Sequence, residues 1–170
     1  MRKIAVIVGS LSDLSQCQAG LMLLKKSGIE VLGVYVRSQH RNTLDTQNLL
    51  GKIYTQVDAA IIGAGWANHL TGCCDAFLRY TFKTPLMPII GVAFEDPQND
   101  KHTQAAILSI TEVPGTQVIY RDEQGEFIGP QGFLRACKFA IFGDLPEMKI
   151  PSPKQALDLT LDQAIEKACE

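Results

Sequence analysis

The sequence predicts a three-layer α/β/α sandwich, in which helices cover both faces of a parallel β-sheet. Short apolar segments alternate along the chain with stretches whose apolar residues recur every three or four positions, the spacing of one helical face. The apolar segments are continuously hydrophobic, as expected for strands that are buried on both faces. Right-handed crossovers between such strands place helices above and below the sheet.

The strands are predicted from apolar runs that are rich in β-branched residues and end at glycine or polar positions. These runs cover residues 3–8, 30–36, 58–63, 87–94 and 117–120. They predict a flavodoxin/Rossmann-like sheet of about five strands.

The helices are predicted from apolar stripes with helical spacing. The first three stripes are Leu14, Cys17, Leu21 and Leu24; Leu49, Leu50, Ile53 and Val57; and Leu70, Cys73, Phe77 and Tyr80. Ser27 and Gly28 would end the first helix, and Thr43 would cap the second. Two more helices are predicted at residues 104–110 and 131–142. A final amphipathic helix is predicted at residues 151–170, packed on the domain or on a neighbouring subunit. Its apolar stripe is Leu157, Leu161, Ala164, Ile165 and Ala168.

Length and charge restrict the class of protein. The chain has 170 residues, 46% of them hydrophobic, with a formal net charge of −2. This length suits one α/β domain, which we place at residues 1–150 ahead of the final helix. The near-neutral charge argues against a nucleic-acid partner. The longest apolar stretch, residues 85–94, is shorter than the roughly 20 residues that cross a bilayer, and we expect a cytoplasmic protein without a membrane partner.

The five cysteines predict neither a metal site nor a disulfide framework. Their number is odd, and their spacing contains no CxxC pattern. Reduced thiols in the cytosol are therefore the favoured interpretation. A weaker hypothesis is covalent catalysis by Cys73 or Cys74 near the start of the third helix, where the pKa of a thiol can be lowered.

Three polar clusters follow the first three predicted strands. They are GSLSD at residues 9–13, RSQHR at residues 37–41 and GAGWANH at residues 63–69. Ligands of open parallel sheets bind beyond the carboxyl ends of the strands, so the three clusters should line one crevice. Each cluster alone has a plainer interpretation, as a helix cap, a solvated loop or a tight turn. His102 lies in a charged run and is expected to be solvated.

Together the clusters predict a sugar-phosphate ligand and proton-transfer chemistry. Ser10, Ser12 and Ser38 can donate hydrogen bonds to phosphate oxygens. Arg41 suits a bidentate phosphate contact, and Asp13 can accept hydrogen bonds from ribose hydroxyls. His40, and His69 in the same crevice, can exchange protons near neutral pH. No Walker-type or GxGxxG motif is present in the sequence.

In this order and at these spacings the clusters resemble the PurE family of purine biosynthesis. The family motifs GSxSD, SAHR and GAGGAAHLPG correspond to GSLSD at 9–13, SQHR at 38–41 and GAGWANHLTG at 63–72. A weaker match joins the family's LLSIVQMPGG to ILSITEVPG at residues 107–115. The resemblance covers about residues 3–118.

The resemblance implies an enzyme that converts N5-carboxyaminoimidazole ribonucleotide to 4-carboxyaminoimidazole ribonucleotide without metal, ATP or organic cofactor. By this resemblance His40 is the general acid/base, and His69 matches a second active-site histidine. Ser10, Asp13 and Arg41 match nucleotide-binding positions, with Ser12 and Ser38 assisting. The backbone of Ala64 and Gly65 would hold the carboxylate or CO2. The family assembles as homo-octamers.

A related branch of the family carboxylates aminoimidazole ribonucleotide directly with CO2. Arg41 and His69 favour the mutase, whereas Asn68 and the Asp75-Ala76-Phe77 segment resemble the carboxylase branch. The chain departs from the family pattern at Trp66, which replaces a glycine, and at Thr71, which replaces a proline. Residues 94–104 and 121–132 differ as well. These departures leave open a catalytically silent nucleotide-binding paralog.

Overall fold

In the computed structural model, which describes residues 1–169, the chain forms a parallel sheet with helices on both faces. The four sheet strands are β1 (Lys3–Val8), β2 (Glu30–Val36), β3 (Ala59–Ala64) and β4 (Ile89–Ala93). The main helices are α1 (Leu14–Ser27), α2 (Thr43–Ile53), α3 (His69–Ala76), α4 (Asp100–Thr111) and α5 (Gly129–Phe142). The sheet order is β2-β1-β3-β4, and every neighbouring pair is parallel. The predicted sandwich is therefore confirmed.

Side chains of the strands alternate between two hydrophobic cores. Ile4, Val6 and Val8 of β1 pack with α1 and α5, whereas Ala5 and Ile7 pack on the opposite face with α2 and α3. Both faces of β1 are fully buried. This two-sided burial explains why the strand has a continuous apolar sequence instead of an alternating one.

The fifth strand differs from its prediction. The chain beyond β4 pairs with it only at two isolated parallel bridges, Ile119 with Ile90 and Ile128 with Ala93. Between them the chain leaves the sheet as a small hairpin of β5 (Arg121–Asp122) and β6 (Gly125–Glu126). Arg135 of α5 holds this hairpin through two hydrogen bonds to the Asp122 carboxylate, at 3.0 and 2.7 Å. Residues 121–132, which differ from the family pattern, thus form this hairpin and the start of α5.

The ends of several helices lie a few residues from their predicted positions. The second helix begins at Thr43, so that Asn42 and not Thr43 occupies the N-cap position, and it ends at Ile53, before Val57. Helix α4 starts at Asp100, four residues earlier than predicted, because the Asn99 side chain caps it by accepting from Lys101 N. After α3 the chain continues as one π-helical segment, Phe77–Thr81.

A buried ion pair fixes the segment between α3 and β4. Arg79 is fully buried and donates to Asp75 Oδ1 at 3.2 Å and to three backbone carbonyl oxygens, those of Thr84, Leu86 and Met87. Asp75 Oδ2 accepts from Gln117 N at 2.8 Å, just before the bridge at Ile119. The pair therefore links α3, the segment before β4 and the edge of the sheet.

The C-terminal helix is shorter than predicted. Helix α6 spans Leu161–Ala168 and is capped by Thr160, whose hydroxyl accepts from Gln163 N. Leu157 precedes the helix, and Glu170 lies outside the described residues. Leu161 and Ile165 are 76% and 54% exposed, so α6 leaves its apolar face open in this single chain.

Candidate functional site

A cleft of about 550 Å³ opens at the carboxyl edge of the sheet. Its walls come from the segments that follow β1, β2 and β3, because parallel strands bring these three ends together. All nine predicted site residues line it: Ser10, Ser12, Asp13, Ser38, His40, Arg41, Ala64, Gly65 and His69. The structure also places Gly9, Gln39, Trp66, Ala67 and Leu70 in the lining.

The segment after β1 turns sharply at Gly9. A Cβ atom at this position would lie 2.7 Å from Ala64 Cβ, so only glycine lets the ends of β1 and β3 approach this closely. The Asp13 carboxylate then accepts from Ser10 N at 2.8 Å and closes the turn, and the hydroxyls of Ser10 and Ser12 are hydrogen-bonded to each other. Both hydroxyls therefore lie on one side of the cleft.

Burial raises the pKa of Asp13, and backbone N–H groups of Ser10 and Gly9 partly oppose this rise. The carboxylate is thus held in a site that disfavours its charge. One oxygen is used by the turn, and the other lies 3.8 Å from the position of a Cβ on Gly65. The second oxygen remains at the cleft, where it can accept a hydrogen bond from a ligand.

The two histidines of the cleft contact each other. His40 Nε2 lies 2.9 Å from His69 Nδ1, and the rings meet edge-on with an interplanar angle of 75°. One nitrogen must donate a proton and the other must accept it, so two imidazolium ions could not form this hydrogen bond. The pair can therefore hold and pass one proton at the wall of the cleft.

The segment after β2 is held by its own side chains. Asn42 Oδ1 accepts from Ser38 N at 3.1 Å, and Ser38 Oγ accepts from Arg41 N at 3.4 Å. The Arg41 side chain is exposed at the cleft. Gln39 places its Oε1 in a buried position where no hydrogen-bond partner is found among residues 1–169. A ligand donor or a water molecule would satisfy this oxygen.

The third segment depends on a buried asparagine. Asn68 is fully buried, donates to Val92 O at 2.9 Å and accepts from Thr71 N at 3.2 Å. The Thr71 hydroxyl lies 2.9 Å from the same Asn68 oxygen. A proline at position 71 has no N–H group and could not make the first of these contacts to Asn68. Thr71, which replaces the family's proline, and Asn68 are therefore linked, because Asn68 accepts hydrogen bonds that a proline could not donate.

Trp66 lines the cleft and packs against His102, which lies outside the lining. Its ring stacks on the His102 ring with centroids 3.9 Å apart and an angle of 19°. Its φ of 59° lies in the left-handed region, which costs a non-glycine residue roughly 1–3 kcal/mol. The residue is still 64% exposed, so burial contributes little to offset this cost.

The expectation that His102 is solvated is wrong. His102 Nδ1 lies 2.7 Å from Asp96 Oδ2, and its Nε2 lies 3.2 Å from Asn99 Nδ2. The hydrogen bond from His102 lowers the pKa of Asp96, which favours the ionised carboxylate. Sequence reasoning missed the role of His102 because Trp66 and His102 are 36 positions apart and only the fold brings them together.

The cysteines of α3 are poor nucleophiles. Burial raises the pKa of Cys73, and burial together with the neighbouring Cys73 and Asp75 raises that of Cys74 far above the neutral range. Because the thiolate is the reactive form, both thiols stay protonated at neutral pH. The hypothesis of covalent catalysis by Cys73 or Cys74 has no support in this geometry.

The fold is similar to two solved structures. The crystal structure of Treponema denticola PurE matches with a TM-score of 0.57 and 22% identity, covering 82% of this chain and 81% of that one. A serine-to-aspartate variant of PurE2 from the same organism matches with a TM-score of 0.57 and 20% identity, over 83% and 90% of the two chains. No match is found among curated protein sequences.

The sheet order and the cleft define a flavodoxin-like α/β protein with a polar cleft at the carboxyl edge of its sheet. The model of the AIR carboxylase family matches residues 3–119, which include every residue of the cleft. The chain belongs to the AIR carboxylase family, whose members are carboxylase- and mutase-type enzymes of purine biosynthesis. Among residues 1–169, no helix is long and apolar enough to cross a membrane.

Proposed function

We propose that this protein interconverts N5-carboxyaminoimidazole ribonucleotide and 4-carboxyaminoimidazole ribonucleotide. The observation that carries the proposal is the hydrogen bond between His40 and His69 in a cleft that is also lined by the serines and Arg41. The reaction moves one carboxyl group and returns every proton, so it needs one group that first gives and then takes a proton.

His40 is the proposed general acid/base. It protonates the carbamate nitrogen as the N–C bond breaks and CO2 departs. C4 of aminoimidazole ribonucleotide then attacks the trapped CO2, and His40 removes the C4 proton. His69 supports this cycle through its hydrogen bond to His40, accepting or donating the shared proton as His40 changes its protonation state. No proton is gained or lost overall.

The remaining residues of the cleft hold the nucleotide in this proposal. Ser10, Ser12, Ser38 and Arg41 bind the phosphate, and Asp13 accepts from the ribose hydroxyls. Charge-assisted hydrogen bonds of this kind contribute roughly 1.5–3 kcal/mol each. The backbone of Ala64 and Gly65 holds the carboxylate or CO2 beside His40. Neither a metal nor an organic cofactor takes part in these steps.

The second candidate is direct carboxylation of aminoimidazole ribonucleotide by CO2. It is favoured by Asn68, which resembles the carboxylase branch of the family and whose contacts to Val92 and Thr71 hold the turn next to the proposed CO2 position. The two reactions share the proposed proton chemistry at C4 and differ in the source of CO2. Purified protein supplied with either N5-carboxyaminoimidazole ribonucleotide or aminoimidazole ribonucleotide plus bicarbonate distinguishes them by the ultraviolet absorbance of the C4 carboxylate.

The assembly and location are also proposals. The exposed apolar face of α6 favours packing against a neighbouring subunit, in a homo-octamer of the kind the family resemblance implies. Light scattering of the full chain, compared with a variant carrying Leu161→Ser and Ile165→Ser, tests whether α6 contributes. A cytoplasmic location follows from the proposed place in purine biosynthesis.

A further inference from the structure

Two of the departures from the family motifs contact each other at the cleft. Trp66 stands where the family motif has glycine, and His102 belongs to the altered segment that follows β4. Their rings are stacked at 3.9 Å and nearly parallel. Residues 94–104, which differ from the family pattern, therefore supply the side chain that supports Trp66. The two departures are structurally linked.

This support is rigid. Both ring nitrogens of His102 are engaged, one by Asp96 and the other by Asn99, which fixes the plane of the imidazole and leaves its faces free. The loop that carries Asp96 is itself fastened to α1, since Gln16 Nε2 donates to Glu95 O at 2.8 Å and Gln16 Oε1 accepts from Glu95 N at 3.0 Å. The His102 ring that supports Trp66 is therefore held by Asp96 and Asn99, and the loop that carries Asp96 is held by Gln16.

Burial in the domain does not explain why the chain has a tryptophan at position 66. Glycine would adopt its φ of 59° without strain, and a side chain that is 64% exposed gains little from burial. One ring face is covered by His102, and the residue borders the cleft next to Gly65. Strain that is offset within the domain only by the stacking contact with His102 points to a functional use.

We propose that Trp66 is a specificity-determining residue that stacks on the flat heteroaromatic ring of the nucleotide, with His102 as the positioning residue behind it. Aromatic platforms of this kind bind ring systems by face-to-face contact and discriminate against ligands that lack a ring. The inference rests on the proposed nucleotide substrate and assigns the group that recognises its base. The ribose phosphate, by contrast, is bound by the serines and Arg41.

Two ligands separate the ring from the rest of the nucleotide. Aminoimidazole ribonucleotide carries the ring, and ribose 5-phosphate lacks it. Binding of each is measured by calorimetry and by the fluorescence of Trp66, which is the only tryptophan of the chain. We expect the ring-bearing ligand to quench this fluorescence and ribose 5-phosphate to leave it nearly unchanged.

The variant Trp66→Gly tests the platform without adding strain. It should weaken binding of aminoimidazole ribonucleotide about 5- to 150-fold, the range for loss of one stacked base, and change ribose 5-phosphate binding less than about twofold. Trp66→Phe should retain much of the affinity. For the positioning residue, His102→Ala should weaken ring binding. His102→Phe should restore it in part, because phenylalanine keeps a flat surface behind the indole but lacks the hydrogen bonds to Asp96 and Asn99.

The outcomes distinguish this inference from the proposed function. If both ligands bind and Trp66→Gly affects them equally or not at all, the stacking proposal is wrong while the proposed function stands. If neither ligand binds to the folded wild-type protein, the nucleotide substrate is wrong and the platform proposal is wrong with it. A ring-selective loss in Trp66→Gly supports the platform whether or not the protein turns the nucleotide over.

Discussion

His40 Nε2 lies 2.9 Å from His69 Nδ1, although the two residues follow different strands of the sheet. This contact joins the second and third polar clusters through one hydrogen-bonded pair of histidines. The pair stands in a cleft whose other walls carry serine hydroxyls and an exposed arginine.

Replacing His69 tests whether the pair acts as a unit. His69→Asn should lower kcat about 100-fold or more, because His40 loses the partner that shares its proton, while nucleotide affinity stays within about threefold. Steady-state turnover and calorimetry measure the two effects separately. Equal loss of affinity and of kcat would indicate that His69 binds the substrate and does not serve proton transfer.

Replacing Cys73 is the matched control on the same helix. Cys73→Ser removes the more accessible thiol of α3 and leaves the cleft residues in place. We expect unchanged turnover, since burial keeps this thiol protonated. Loss of turnover in a folded Cys73→Ser variant, or on alkylation of this residue, would revive covalent catalysis.

Glycine at position 9 is required by the approach of β1 to β3. Gly9→Ala places a methyl group 2.7 Å from Ala64 Cβ, and we expect it to lower the free energy of unfolding by about 1–3 kcal/mol, measured by urea unfolding. Gly65→Ala is the control for stability, because the nearest atom to its added methyl group lies 3.8 Å away. Similar stability of the two variants would contradict the packing described at the end of β1.

The buried carboxyl of Asp13 predicts a particular pH dependence. Its pKa in the folded protein is raised by burial, so the folded state binds a proton more readily than the unfolded state, and the charge costs stability at neutral pH. Asp13→Asn should therefore be more stable than wild type at pH 7, and this advantage should disappear below the ordinary pKa of 3.8. Urea unfolding at pH 7 and pH 3 measures both. An advantage that grows as the pH falls would have the wrong sign.

Thr71 and Asn68 should be coupled energetically. Thr71→Pro restores the family residue but removes the N–H group that Asn68 caps, and it should lower the free energy of unfolding by about 1–3 kcal/mol. Thr71→Val keeps the N–H group and should cost less. In Asn68→Ala the effect of Thr71→Pro should shrink, because its partner is already absent. Additive losses in this double-mutant cycle would show that the two residues act independently.

Strands of the sheet could be predicted where burial on both faces requires a continuous run of apolar residues. Strands β1, β3 and β4 are buried on both faces, so their continuous apolar runs located them to within two residues. The bounds of the fifth strand could not be predicted in this way, because the chain pairs with β4 only at the isolated bridges of Ile119 and Ile128. The hairpin between these bridges depends on the contact of Arg135 with Asp122, which joins distant positions.

The cleft could be predicted because topology requires it: the carboxyl ends of parallel strands meet at one edge, and polar residues followed three of them. The stack of Trp66 on His102 could not be predicted. It depends on a left-handed φ at Trp66 and on an imidazole fixed by Asp96, and neither has a signal in local sequence. The same limit applies to Gln39, whose buried Oε1 is recognised only once its surroundings are known.

Turnover of N5-carboxyaminoimidazole ribonucleotide by the purified protein, without ATP or metal, tests the central proposal most directly. Ultraviolet absorbance follows the C4 carboxylate, and His40→Asn is measured beside the wild type. We expect conversion by the wild type, loss of at least about 1000-fold in His40→Asn, and nucleotide binding in both. Undiminished turnover in His40→Asn, or no conversion by a folded wild-type protein that binds the nucleotide, would contradict the proposed reaction.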